Sequence, residues 1–534
     1  MLSYRRGPEA ALLEQTLAET LAETVRKCPD RDALIVRHQG LRYTWSKLAA
    51  AVEQTARGLA GIVQPGERIG IWAPNCAEWI LLQYAASRAG VVLVNINPAY
   101  RAHELEDVLR RSRIKALFLM ESDERAAYRE ILEHATHGKD FRLDHRIWIG
   151  TESWQQFLDA GRDIPRFEAS THDVANIQYT SGTTGSPKGV LLTHRNIVNN
   201  GLFIGQWLHI SERDRICIPV PLYHCFGCVI GSMVSLTSGA AMIFPSERFH
   251  ALPAMEAIAG ERCTLIYGVP TMFIAQLNHP EFRSYDYSSL RGGIMAGAPC
   301  PVEIMKRVMK EMHCAEITIV YGQTESSPVI TGSKVDDSVE RRVSTVGCVF
   351  PNTDVKLAHR NTGDTVPIGD EGEICTRGYL VMKGYDNDPE ATREVLDEEG
   401  WLHTGDIAVM REDGYIHLTG RAKDVIIRGG ENVYPKEVED FLHTHPAVAD
   451  VEVVGIPDAK LGEVVVAWIK LRPGATATEE EIREFCRGEI ANFKVPQYIR
   501  FTDTFPRTVT GKTQKYLIRE REIELRGLTI SETA

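Results

Sequence analysis

Between residues 68 and 120 the chain alternates short continuous apolar runs with stretches whose apolar residues recur every third or fourth position. Arg68–Trp72, Val91–Ile96 and Ile114–Met120 have strand length, and Glu78–Arg88 and Ala102–Arg111 carry helical spacing. Such alternation predicts an α/β architecture, with largely parallel sheets flanked by helices. Later runs, Leu265–Val269, Ile317–Tyr321 and Ile374–Thr376, each stop at a polar or glycine-rich loop. Open α/β sheets place ligands beyond such strand ends, so these three strands are expected to converge on one crevice.

The pattern changes around Gly420–Asp424. Polar residues and Gly429-Gly430 precede Pro435-Lys436-Glu437-Val438-Glu439, a helix start with proline near its first position. Apolar runs Val451–Val454 and Val464–Leu471, and a helix opened by the capping pair Thr478 and Glu481, predict a small α+β unit. The expected division is therefore 1–422 and 423–534. The run Ile216 to Pro245 contains no Asp, Glu, Lys or Arg, and its length alone would allow a membrane span. Pro219, Pro221, His224 and interspersed glycines argue instead for a buried segment entering an active-site wall.

The most informative stretch is Tyr179-Thr180-Ser181-Gly182-Thr183-Thr184-Gly185-Ser186-Pro187-Lys188-Gly189. Glycines let backbone N–H groups approach phosphate oxygens, hydroxyls donate further hydrogen bonds, and Lys188 adds a mobile positive charge. A strand-like Asn176–Tyr179 precedes it and a helical pattern follows Leu191–Asn196, which a flexible linker would not show. A Walker A loop is excluded, because Pro187 precedes the lysine and Gly189 follows it.

With 534 residues, 43% hydrophobic, the chain can bury more than one core. A formal net charge of −12 argues against nonspecific nucleic-acid binding and leaves phosphate recognition to local cations. The 11 cysteines are too dilute for a disulfide scaffold, and Met1–Arg6 is not followed by an apolar signal core, so a cytoplasmic protein is expected.

The Tyr179–Gly189 loop resembles the signature of the adenylate-forming (AMP-binding) enzymes, the superfamily of acyl-CoA synthetases, luciferases and peptide-synthetase adenylation domains. Further matching segments follow in that family's order: Tyr321-Gly322-Gln323-Thr324-Glu325, Trp401-Leu402-His403-Thr404-Gly405-Asp406, Gly420-Arg421-Ala422-Lys423-Asp424 and Thr510-Gly511-Lys512. The resemblance implies a large N-terminal domain and a small mobile C-terminal domain that rotates between two half-reactions, with Lys423 at the hinge. It also implies an active site between them. The activity implied is ATP-dependent joining of a carboxylic acid to CoA through an acyl-adenylate, with Mg2+ as cofactor and release of AMP and pyrophosphate.

Carried over residue by residue, the resemblance makes Lys512 the lysine that bridges carboxylate and α-phosphate during adenylation. Glu325 becomes the magnesium carboxylate and Thr324 an α-phosphate donor. Thr180, Ser181, Gly182, Thr183, Thr184, Gly185 and Lys188 cradle the phosphates, with Tyr321, Gly322 and Gln323 also on the nucleotide. Gly297, Ala298 and Pro299 lie against adenine, Asp406 accepts from the ribose hydroxyls, and Arg421 meets ribose or phosphate. The acyl pocket is expected to use His224 as a gate, with Phe226, Met295, Ala296, Gly297 and Gly322. Gly429, Gly430 and Glu431 would border the CoA side. A mostly apolar lining with no lysine or arginine points to a medium-chain fatty acid. An aryl acid, or a carrier protein in place of CoA, remains an alternative. So does a nucleotide-binding regulator without turnover, against which the intact lysines, Glu325 and Asp406 weigh. Partners are thus small molecules, with a homodimer as the one protein assembly allowed for. Cys225 and Cys228 form a CxxC with no second pair to complete a zinc site, and are read as packing.

Overall fold

The computed structural model describes every residue except 140–142, 181–186, 299, 422–423, 429–430, 459–460, 488, 491, 509–512 and 529–534, with backbone alone at 427, 431 and 432. The chain forms two compact units. The larger comprises Arg5–Val355 and Thr376–Leu402; the smaller comprises Met1–Tyr4, Lys356–Cys375 and His403–Ala534.

Two seven-stranded sheets organise the larger unit. In the first, the order is Gly384–Tyr385, Lys188–Thr193, Val174–Thr180, Val92–Asn95, Arg68–Trp72, Ala116–Leu119 and His145–Trp148. Its last five strands run parallel. Lys188–Thr193 is antiparallel to Val174–Thr180, since the short segment joining them has no room for a crossover helix. The second sheet runs Glu316–Thr318, Gly292–Met295, Leu265–Gly268, Arg215–Cys217, Ala241–Phe244, Asp32–Val36 and Leu41–Thr44, antiparallel only at the last pair. The expected mixed α/β architecture with flanking helices is what forms.

Helix Ala77–Ala89 is buried on nearly all sides, although its sequence carries polar residues. Those residues are satisfied in place: Glu78 accepts from Gln39 Nε2 at 3.0 Å, and Gln83 donates to the Cys228 carbonyl at 2.8 Å and accepts from Ser232 Oγ at 2.7 Å.

The single strand expected over Ile317–Tyr321 is divided. Glu316–Thr318 belongs to the parallel sheet, and Val320–Gly322 forms a separate antiparallel pairing with Val329–Gly332. Ile319 makes the transition, its N–H donating to Ser333 Oγ (2.9 Å) and its carbonyl accepting from Ser333 N (2.9 Å). The expected convergence of three strands is partial. Leu265–Gly268 and Glu316–Thr318 lie in one sheet on either side of Gly292–Met295 and end one residue apart, opposite Met295 and Ile294. The third, Glu371–Gly378, lies in a five-stranded sheet between Thr353–Ala358 and Leu402–Met410.

The apolar run 216–245 folds as the end of a strand, a π-helix (Phe226–Gly231), an α-helix (Ser232–Ser238) and another strand. Among the described residues no helix is long and apolar enough to cross a membrane.

In the smaller unit, strands Gly462–Leu471 and Val448–Asp458 pair antiparallel, and Tyr498–Phe501 joins the former in parallel. Val465, Ala467 and Ile469 enter one core with Val438 and Ile482; Val464, Val466 and Trp468 enter another with Ile518 and Ile523. The two-residue period thus fills both faces, which explains the unbroken apolar run. Pro435 opens a helix and Thr478 with Glu481 forms a capping box, as the sequence predicts.

Candidate active site

In the larger unit, Thr180 ends one strand and Lys188 begins the next, directly opposite it. Ser181, Gly182, Thr183, Thr184 and Gly185 lie outside the described residues. The Lys188 ammonium stands 5.0 Å above the Tyr385 ring, with the Glu394 carboxylate 4.0 Å away. The Tyr385 hydroxyl donates to Glu325 Oε1 at 2.8 Å. Lys188 and the Tyr321–Glu325 motif are therefore joined through one aromatic ring. Burial, and then the Glu325 charge, hold the Tyr385 phenol well above its usual range.

Tyr385 is itself fixed by its surroundings. It pairs with Val190, and Asp386 N donates to the Gly189 carbonyl at 2.7 Å. The Asp386 carboxylate accepts both arms of Arg68, at 2.7 and 2.8 Å. No sequence spacing ties Tyr385 to Glu325, and the sequence reading missed it.

Glu325 sits in a tight turn, Thr324–Ser326, that Gln323 and Ser326 close reciprocally. Its own carbonyl accepts from Met382 N at 2.9 Å, so backbone and side chain are both held. Tyr321 is buried and pairs with Thr331. Gly322, expected at the nucleotide and in the acyl pocket, has a local need for glycine: an added Cβ would lie 1.7 Å from the Pro328 carbonyl oxygen.

Around the expected acyl pocket, His224 Nδ1 accepts from Phe226 N at 3.1 Å, which sets the ring's orientation. Phe226 opens the π-helix, and its ring centroid lies 6.2 Å from that of Tyr267. Cys225 Sγ is 3.8 Å from Thr324 Oγ1, so the His224 segment and the Tyr321–Glu325 motif meet. Met295 is fully buried in the core beside Phe273 and Met305, whereas Gly297 and Ala298 are exposed after the strand end. Ala296 is buried, Gly297 takes φ +87°, and Pro299 lies outside the described residues.

Cys225 and Cys228 are free and buried. Burial pushes the Cys225 thiol up to about 12 and Cys228 higher still. Cys228 Sγ accepts from Asn95 (3.4 Å) and Gln178 (3.3 Å), a buried polar network that includes Asn176 and that no motif announced.

In the smaller unit, Asp406 and Arg421 face each other across a strand pair, with Arg421 Nε donating to Asp406 Oδ1 at 2.8 Å. Upstream, His403 Nδ1 lies 3.4 Å from Cys375 Sγ and 3.2 Å from Glu373 Oε2, while Glu373 Oε1 accepts from Gly405 N at 2.9 Å. The thiol and carboxylate push the imidazole up to about 10. Glu373, Cys375 and His403 form the single group among the described residues with metal-ligating atoms this close, and their mutual hydrogen bonds fix the strand just before Asp406. Glu431 begins a short strand opposite Arg428. Gly429, Gly430, Lys423 and Lys512 lie outside the described residues.

Residues 21–386 match the AMP-binding enzyme family, and 437–512 match the AMP-binding enzyme C-terminal domain. YngI of Bacillus subtilis, named as an acyl-CoA synthetase, is 46% identical over 98% of this chain and 100% of its own. The mitochondrial medium-chain acyl-CoA ligase ACSF2 of Bos taurus is 42% identical over 96% of this chain and 88% of its own. Among solved structures, ATP-bound MatB from Rhodopseudomonas palustris superposes with a TM-score of 0.85 at 29% identity, covering 96% of this chain and 100% of that one. Matches spanning both compact units, together with the meeting of the loop lysine and the Tyr321–Glu325 motif, establish that the chain belongs to the AMP-binding enzyme family, among its acyl-CoA synthetases.

Proposed function

We propose that this protein joins medium-chain fatty acids to CoA through an acyl-adenylate, releasing AMP and pyrophosphate. The observation that carries the reading is the Lys188–Tyr385–Glu325 connection, which unites a phosphate-loop cation with a carboxylate suited to a hard metal ion. The chain length is carried by likeness to ACSF2, a medium-chain ligase by name.

Carboxylate oxygen is a poor leaving group, so the acid is first joined to AMP. In-line attack on the α-phosphate gathers negative charge, which fixed cations and donors must meet. Lys512 supplies that cation; Lys188 and the Thr180–Gly185 loop hold the departing phosphates; Thr324 donates to the α-phosphate; Asp406 and Arg421 orient the ribose. Magnesium fits Glu325, a half-buried hard-oxygen donor whose carboxylate is already oriented by Tyr385, and when bound it would neutralise pyrophosphate charge. Lys423 serves as the hinge that turns the smaller unit toward thioester formation, with Gly429, Gly430 and Glu431 on the CoA side. The free, mostly buried cysteines support a cytoplasmic setting.

Magnesium-dependent pyrophosphate release across acids from acetate to palmitate, plus benzoate, with and without CoA, tests the proposal. A CoA-dependent maximum between about six and twelve carbons is expected for a mostly apolar pocket of moderate length. A maximum at acetate, palmitate or benzoate would overturn the chain-length assignment, and release without any CoA dependence would overturn the acceptor.

A further inference from the structure

We propose that Lys515, clamped between Glu439 and Glu452, is a positioning residue for adenylation that holds the segment bearing Lys512 in place. The proposal rests on the reading of Lys512 as the adenylation lysine. Lys515 opens helix Lys515–Arg526 and follows Lys512 by three positions. Its ammonium lies 2.6 Å from Glu439 Oε1 and 3.9 Å from Glu452 Oε2. Glu439, on helix Pro435–Leu442, also accepts from Val453 N at 2.8 Å, so the clamp is tied to the sheet backbone.

The other end of the segment is held by the same strand. Arg507 donates to Asp450 Oδ2 at 2.5 Å, Arg507 and Thr513 form an isolated bridge, and Gln514 N donates to the Pro506 carbonyl at 2.8 Å. Asp450 and Glu452 are two residues apart on strand Val448–Asp458, and therefore on one face, about 7 Å apart along it. Two carboxylates at fixed spacing thus hold Arg507 and Lys515, which flank residues 509–512 in the sequence.

Packing one ammonium and two carboxylates here is a poor route to stability, since apolar residues of similar volume commonly do as well or better. A directional requirement explains the choice. A misplacement of about 1 Å at a reacting group costs on the order of 10²-fold in rate.

The test separates the half-reactions in the full-length enzyme. Adenylation is read as acid-dependent exchange of pyrophosphate into ATP, and thioester formation as CoA capture of supplied acyl-adenylate. Lys515→Met should lower exchange by at least about tenfold while leaving thioester formation within about twofold, and Lys515→Arg should restore most of the exchange. Equal losses in both half-reactions, or no loss in exchange, would overturn the positioning role. If Lys515→Met does not fold, Asp450→Asn unties only the Arg507 end, at a half-exposed position, and should show the same selective loss; its absence would overturn the proposal. Lys512→Ala runs alongside: unaltered exchange there would sink the reading of Lys512, whereas loss there with unaltered exchange in Lys515→Met would sink only the clamp.

Discussion

The Lys188–Tyr385–Glu325 cluster and the Lys515–Glu439–Glu452 cluster each combine lysine with carboxylate, but they treat charge in opposite ways. In the first, a neutral ring stands between Lys188 and Glu325: Lys188 is 5.0 Å from the ring, with the Glu394 carboxylate 4.0 Å away, and Glu325 accepts the phenol hydrogen bond. In the second, opposite charges meet at 2.6 Å with a second carboxylate behind. A carboxylate partnered by a neutral donor, as Glu325 is by Tyr385, keeps its charge for a further ligand; a charge paired directly, as Lys515 is with Glu439, is quenched.

The largest expected effect is on Lys512, the group that the second cluster is proposed to position. Lys512→Ala should reduce adenylation by about 10²–10³-fold, as removal of one transition-state donor does, measured by pyrophosphate exchange. Loss in Lys515→Met equal to or greater than this would break the distinction between a reacting cation and its support.

Tyr385→Phe sharpens the contrast from the other side. It keeps the ring beneath Lys188 and removes the donor that orients Glu325. The magnesium concentration for half-maximal adenylation should rise by about tenfold, in keeping with loss of a partner to a metal carboxylate, while the rate at saturating magnesium changes little. An unaltered magnesium dependence would show that the phenol does not orient the carboxylate.

The smallest effect concerns pH. Burial first, and then the Glu439 charge, raise the Glu452 carboxyl from 4.5 to about 7, against Lys515 and the Thr513 hydroxyl. Asp450 also faces this cluster, paired with Arg507 and 3.8 Å from His443, and Asp424 acts on Lys515. Because the folded value lies above the unfolded one, the stabilising contribution is fully present below about 4.5 and is lost as pH rises through about 7. Glu452→Gln lacks that titration, so its melting temperature should gain on the wild type between pH 5 and pH 8. A constant difference across that range would mean that burial does not hold Glu452 protonated.

Much of this arrangement was legible from residue order. The strand–helix alternation over residues 68–120 predicted the parallel sheet, and Thr478 with Glu481 marked a helix start that forms as expected. Both signals are local: a period of two or 3.6 and a cap depend on near neighbours in the chain. The five ordered motifs likewise identified the family, because phosphate, ribose and metal chemistry constrain short contiguous stretches.

Other features depend on partners distant in the chain. Ile317–Tyr321 reads as one apolar strand, yet Ser333 captures Ile319 and divides it between two sheets. Helix Ala77–Ala89 carries polar side chains but is enclosed, with Gln39, Cys228 and Ser232 answering Glu78 and Gln83. Gly322 is required by the Pro328 carbonyl, and Tyr385 reaches Glu325 across sixty positions. Residue order thus set the elements, the family and the candidate chemistry, because these follow from local periodicity and contiguous motifs. Folding in three dimensions set which charges are quenched and which stay available, because that depends on which distant side chains packing brings within hydrogen-bond reach.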